Sequence, residues 1–405
     1  MTAPLAGLRI FDLTRILAGP TATQLLGDLG ADVIKIERPG EGDDTRRWGP
    51  PYLEGKDGPD KELSAYFMCA NRNKRSLTLD IAKPEGQALA RRLIGQCDVL
   101  VENFKVGNLA RYGLAYDQLK GEHPRLVYCS ITGFGQTGPY APFAGYDFLA
   151  QGMGGLMSIT GAPDGEPMKV GVGIADIMCG MYGVAAILAA LRHRDATGKG
   201  QHIDMALLDS QVAWLVNEGM NFLTTGKVPQ RLGNEHPNIV PYKVLPTADG
   251  HFILAVGNDR QFQRFCDFAG RPELGRDPLF VTNAARVANR AALYGLLPEL
   301  TRKKATREWV DGLSALGVPT GPVNDIGQVF ADPQIEHRGM QMTLPFEDAK
   351  DGALRLVANP IKLSETPVDY RRPPPRVGQH TDEVLGELLG VSKAEIDALK
   401  QSEVI

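Results

Sequence analysis

The sequence predicts an α/β protein: a mostly parallel sheet covered on both faces, with a smaller α+β unit taken from the middle of the chain. Three observations carry this. Short β-rich runs alternate with helical patterns through the first two hundred residues. The character changes after Leu191, where Arg192-His193-Arg194-Asp195-Ala196-Thr197-Gly198-Lys199-Gly200 reads as a charged turn. From about Asn324 the chain is loop-rich before it ends in helical patterns. The expected division is therefore 1–193 for the large unit, 194–230 for a linking helical region and 231–323 for the small unit. Residues 324–405 return to complete the large one.

Taken in order, Leu8–Phe11 is a short apolar strand and Pro20–Leu29 a helix stopped by Gly30. Asp32–Ile36 and Ser76–Leu79 are β-rich. Pro84–Ile94 is a helix with proline at its start, and Asp98–Val101 and Leu126–Ile131 are further strands. Ile177–Leu191, about 15 apolar residues, is shorter than the roughly 20 that span a bilayer and reads as a buried helix. His202–Met205 is a strand and Leu207–Leu223 a helix. Tyr242–Pro246 and Phe252–Val256 flank Ala248-Asp249-Gly250 as a hairpin. Gln261–Ala269, Ala284–Leu297 and Thr306–Leu316 are helical. Met340–Leu344 and Ala353–Val357 pair as strands, Pro373–Pro375 is a rigid spacer, and Thr381–Leu389 and Lys393–Lys400 are helices.

Composition narrows the class. The chain has 405 residues, too many for one average domain, with 43% hydrophobic and 23% charged residues. A net charge of −4 gives no field favouring nucleic acid or an acidic membrane. Five cysteines are widely spaced with no C-x-x-C, so neither a zinc site nor a disulfide framework is expected. A reducing cytoplasm fits, and the N-terminus lacks the apolar core of a signal peptide. The seven histidines show no metal spacing, and no metal is expected.

Gly133-Phe134-Gly135-Gln136-Thr137-Gly138 matches G-x-G-x-x-G after a strand. Pro139 and Pro142 follow, which is poor material for the helix that must hold a pyrophosphate, so a glycine-rich turn is the better reading. Asn71-Arg72-Asn73-Lys74-Arg75-Ser76 is a dense basic turn, either solvated or an anion site. Arg38, Arg46, Arg47 and Arg111 follow strand ends, where open α/β sheets bind ligands, and together they favour a polyanionic ligand.

Asp176 is the most unusual carboxylate. It is the single charge between Val170 and Leu191, placed where a glycine-broken apolar strand is expected to give way to a helix. One reading makes it the N-cap of that helix. Another makes it a nucleophile toward an acyl group, kept ionised by the helix N-terminus. The two are compatible.

Seven ordered motifs resemble one family. They are Asp12-Leu13-Thr14-Arg15-Ile16-Leu17-Ala18-Gly19-Pro20, Gly30-Ala31-Asp32-Val33-Ile34-Lys35-Ile36-Glu37-Arg38-Pro39, Asn73-Lys74-Arg75-Ser76, Val101-Glu102-Asn103-Phe104, Gly145-Tyr146-Asp147, Ala175-Asp176 and Gly378-Gln379-His380-Thr381-Asp382. The chain resembles the class III CoA-transferases of the CaiB/BaiF type. The resemblance implies a Rossmann-like large domain built from both chain ends, a small domain from the middle, and an interlocked homodimer. It implies that Asp176 attacks an acyl-CoA thioester through a mixed anhydride and then carries CoA as an aspartyl thioester. Coenzyme A and acyl-CoA are substrates, with no tightly bound cofactor.

The positions matching the family's CoA contacts are Leu17, Ala18, Arg38, Leu79, Ala82, Asn103, Phe104, Lys105, Arg111 and Tyr146. Gly233, Asn234 and His236 lie in the segment matching the loop that covers the site. Two departures matter. Leu17 replaces a glutamine of the formyl-CoA transferases, which argues against formate and oxalate. Tyr146-Asp147 replaces the His-Asp pair of the racemases, and tyrosine is a poor proton acceptor near neutral pH. The expected activity is therefore transfer of CoA from succinyl-CoA to a glutarate-like dicarboxylate, with Arg46 or Arg72 meeting the distal carboxylate. An acyl-CoA racemase and a non-catalytic acyl-CoA binder are the alternatives.

Overall fold

The structure, a computed structural model, describes residues 3–405. The chain forms two compact units. One contains the chain up to Leu156, Val170–Met220 and Gln334–Ile405; the other contains Met157–Lys169 and Asn221–Pro333.

Among the described residues the first unit holds a six-stranded sheet. Its strands are β1 (Arg9–Asp12), β2 (Asp32–Glu37), β3 (Lys74–Thr78), β4 (Val99–Glu102), β5 (Val127–Thr132) and β6 (His202–Ala206). Every pairing is parallel and the spatial order is 3-2-1-4-5-6. That is the doubly wound order of dinucleotide-binding folds, whose ligand crevice lies where the order reverses, outside the ends of β1 and β4.

Side-chain alternation along the strands builds two cores. Phe11, Ile34, Leu77, Leu100 and Tyr128 face one side. They pack against α2 (Pro84–Ile94) and the C-terminal helices α6 (Thr381–Leu389) and α7 (Lys393–Gln401). Ile10, Val33, Val99, Val127 and Cys129 face the other, against α1 (Ala18–Asp28) and α4 (Ile174–Thr197). The two ends of the chain thus share one sheet. Outside the sheet, Tyr52–Gly55 pairs with Gly58–Ser64 and Gln341–Pro345 with Ala353–Val357. The first of these hairpins has too little apolar alternation to be read from sequence.

The second unit carries the expected hairpin, Tyr242–Pro246 with His251–Ala255, and Thr320–Pro322 adds a third antiparallel strand. Its core gathers Phe252, Phe265, Leu297 and Trp309, whose indole N–H donates to the Thr301 carbonyl at 2.7 Å.

Four elements differ from expectation. Residues 170–173 form no strand, because the alternating glycines leave a bend. The apolar helix is 24 residues long, and by length and composition it could cross a membrane. Here it lies on the sheet, burying Cys179, Ile187 and Leu191, and near its end Arg194 is buried in an ion pair with Asp98. The helix expected over 207–223 breaks into α5 (Leu207–Ala213) and Val216–Thr225, with Val216 at φ 34°. The helix expected over 284–297 likewise divides at Asn289.

Candidate active site

The crevice at the reversal point is built by two loops. After β1, Thr14 returns its N–H (2.9 Å) and hydroxyl (2.5 Å) to the buried Asp12. After β4, Glu102 accepts the Phe104 N–H at 2.7 Å. Asn103 joins the loops: its Oδ1 accepts the Arg15 N–H at 3.0 Å and its Nδ2 donates to the Arg15 carbonyl at 2.7 Å.

Two adjoining cavities result. One, of about 200 Å³, is lined by Arg15, Leu17, Ala18, Asn103–Val106, Tyr146 and Asp176. The other, of about 250 Å³, is lined by Arg38, Leu79, Ala82, Phe104 and Arg111. Arg15 and Phe104 border both. Asp176 and all ten positions matched to CoA contacts therefore line two adjoining cavities of one unit. Gly233, Asn234 and His236 belong to the other unit. There the Gly233 N–H donates to Gly161, and the His236 ring accepts the N–H groups of Asn238 and Ile239.

Glycines permit the close approaches. A Cβ on Gly180 would lie 2.6 Å from the Ala18 carbonyl oxygen, so α4 rests directly on the start of α1. Gly133 and Gly145 face each other so closely that a Cβ on either would lie 2.4 Å from the other's Cα. No helix follows Gly138; the G-x-G-x-x-G is a packing turn that draws the Tyr146 segment to the end of β5.

Asp176 is not an N-cap. The helix starts at Ile174, after Gly173, which places Asp176 in its first turn. The cap comes from Asp147, whose Oδ1 accepts the N–H of Ala175 at 2.8 Å and more distantly that of Asp176 at 3.4 Å. Gln151, one turn along the same short helix, donates to the other Asp147 oxygen at 2.7 Å and accepts the Val170 N–H at 2.9 Å. The dipole and free donors of α4 therefore serve Asp147. Asp176 is 9% exposed, and among the described residues its carboxylate accepts no hydrogen bond. Burial, and then the Asp147 charge, push it up to about 7. The expectation that the helix terminus simply holds it ionised is corrected: it sits poised near neutrality.

The basic motifs are also reassigned. Residues 71–76 are buried. Arg72 forks onto Asp28 at 3.0 and 2.6 Å, and Lys74 reaches Asp12 at 3.2 Å. Asn73, at φ 60°, accepts the N–H groups of Arg371 and Arg372. Arg46 is 2% exposed, forked onto Glu37 at 2.8 and 2.7 Å, and donates to the Pro375 carbonyl. Neither Arg46 nor Arg72 lines the Asp176 cavity, and their donors are committed to the fold. Lys35 pairs with Asp43 at 2.8 Å; burial alone would raise Asp43, but Lys35 outweighs it and holds it at about 2. The charged motifs are thus largely a buried lattice under the two loops. Sequence reading passed over Asp147 and Gln151 as a unit, although their i,i+4 spacing was available as a signal.

Comparison with known proteins identifies the family the chain resembles throughout its length. Residues 5–381 match the model of CoA-transferase family III. The chain is 53% identical over 385 residues to the succinate–glutarate CoA-transferase of Agrobacterium fabrum, covering 95% of this chain and 96% of that one. It is 42% identical over 402 residues to the succinyl-CoA:glutarate CoA-transferase of Homo sapiens, covering 99% and 90%. A crystal structure of a CAIB/BAIF family protein from Brucella suis superposes with a TM-score of 0.84 at 49% identity, covering 96% of this chain and 100% of that one.

Proposed function

The chain belongs to CoA-transferase family III, and we propose that it moves CoA from succinyl-CoA to a glutarate-like dicarboxylate with Asp176 as the acyl-accepting nucleophile. The observation that carries this reading is the placement of Asp176 on the wall of a cavity that shares Arg15 and Phe104 with a second, arginine-bearing one. Arg38 and Arg111 suit the phosphates of CoA, and the chain from Phe104 to Tyr146 leads toward the thioester.

The Asp176 carboxylate attacks the succinyl thioester carbonyl, expelling the CoA thiolate and forming a mixed anhydride. The thiolate attacks the Asp176 carbonyl carbon, releasing succinate and leaving an aspartyl-CoA thioester. Glutarate attacks that thioester, again expelling thiolate. The thiolate then takes the glutaryl group, and the Asp176 carboxylate is restored. Raised to about 7, the group is still partly ionised at neutral pH, and its carboxylate is more nucleophilic than that of an ordinary aspartate. Burial excludes the water that would hydrolyse either intermediate.

The enzyme works as an interlocked homodimer in the cytoplasm. Both chain ends share one unit while the middle forms the other. Large apolar side chains stand exposed on neighbouring helices of the first unit, among them Phe148 (60%), Tyr182 (41%) and Trp214 (41%), the kind of patch that marks an association surface. All five cysteines are unpaired.

The test is mass spectrometry of wild type and Asp176→Ala after incubation with succinyl-CoA and a panel of carboxylates. Glutaryl-CoA formation, with CoA bound to the Asp176 peptide in wild type only, is expected. Deuterium uptake at the α-carbon without exchange would point to racemisation, and CoA binding without turnover to a carrier.

A further inference from the structure

With Arg46 and Arg72 engaged elsewhere, the Asp176 cavity still needs a cation if its substrates are dicarboxylates. Among the described residues two cationic side chains line it, Arg15 and Lys105. We propose that Arg15 binds the carboxylate at the far end of the acyl group. This rests on the CoA-transferase reading given above.

Three observations single out Arg15. Its backbone N–H and carbonyl are both held by Asn103, so the point from which the side chain extends is fixed. The next residue, Ile16, sits at φ 73°, a left-handed conformation that a β-branched residue avoids. Its N–H reaches only weakly to Asp43 at 3.4 Å. Such strain persists where surrounding structure enforces it, and it gathers at binding sites. Here it turns the chain between Arg15, which borders both cavities, and Leu17, which lines the Asp176 cavity.

The third observation is availability. The Arg15 side chain is 45% exposed and pairs with Asp44, whose side chain is 52% exposed, at 3.0 Å. An exposed pair of this kind contributes little and is readily exchanged for a substrate carboxylate. The planar fork donates two parallel hydrogen bonds to a carboxylate, which the single ammonium of Lys105 does not. The Phe104 ring, 5.6 Å from the guanidinium carbon, backs it on one side. Because donor and acceptor acyl groups reach Asp176 in turn, one cation serves the far carboxylate of both.

The experiment compares each dicarboxyl substrate with its monocarboxyl counterpart in the same protein: succinyl-CoA against butyryl-CoA, and glutarate against valerate. If wild type shows no preference for the dicarboxyl member, the reading of the substrates fails before Arg15 is questioned. Given that preference, Arg15→Gln should reduce it by roughly 10- to 100-fold in kcat/KM for both pairs, through KM, as expected for a charge-assisted hydrogen bond. Arg15→Lys should retain part of it. Retention of the full preference in Arg15→Gln overturns the proposal, as does its loss in Lys105→Ala instead. A folded Arg15→Gln inactive with all four substrates also overturns it, since Arg15 would then serve the chemistry and not the far carboxylate.

Discussion

Replacing Asp176 by asparagine should abolish transfer and stabilise the protein, by an amount that depends on pH. In the folded chain burial and Asp147 raise the carboxyl from 3.8 to about 7. A raised pKa means that the folded state holds a proton the unfolded state has released. Wild type therefore loses stability as pH rises from 3.8 to about 7, and the loss is complete above that. Three pH units at 1.36 kcal/mol each set an upper bound of about 4 kcal/mol. Asparagine is nearly isosteric and carries no charge to bury. The advantage of Asp176→Asn should be about 2 kcal/mol at pH 5 and about 4 kcal/mol at pH 8. Urea unfolding of both proteins at the two pH values, with CoA exchange measured alongside, reads the difference. An equal gap at both pH values, or a variant less stable at pH 8, would refute the claim that Asp176 is buried at a cost. Retained exchange would refute its role as nucleophile.

The same poise predicts that log kcat/KM for acyl-CoA climbs with unit slope up to about pH 7 and then levels, because the carboxylate is the reactive form. Asp147→Asn should move that limb to lower pH by removing the neighbouring charge while keeping an acceptor for the Ala175 N–H; an unmoved limb would remove Asp147 from the account. Gly180→Ala sets a methyl against the Ala18 carbonyl and should cost about 1–3 kcal/mol, with KM for acyl-CoA raised as the start of α1 shifts; a thermal melt and kinetics check both. Arg72→Ala strands the buried Asp28 and should cost about 3–5 kcal/mol. The KM for glutarate in its folded fraction should be unchanged, and a large rise there would return Arg72 to the substrate.

Much of this molecule could be read from its residues in order. The strands and helices around the sheet follow from local periodicity, and Pro84–Ile94 and Thr381–Leu389 have the bounds their end signals indicated. The oddness of Asp176 was visible because an isolated charge in an apolar run is rare. What linear reading missed is long-range. Nothing near Arg46 or Arg72 in sequence announces that Glu37 and Asp28 will consume their donors, and a basic turn looks the same whether solvated or buried. The pairing appears only when β2, β3 and α1 come together.

Residue order alone carries the α/β alternation, the glycines that allow close approach, and the isolation of Asp176 as the single charge of an apolar run. The tertiary structure alone decided the state of that carboxylate. Asp147, 29 residues before Asp176, takes the helix N–H groups and adds its own charge, and the packing of α4 on α1 withdraws the site from water. Hydrogen-bond donors and solvent are shared among residues distant in sequence, so a pKa belongs to the folded neighbourhood and not to the motif.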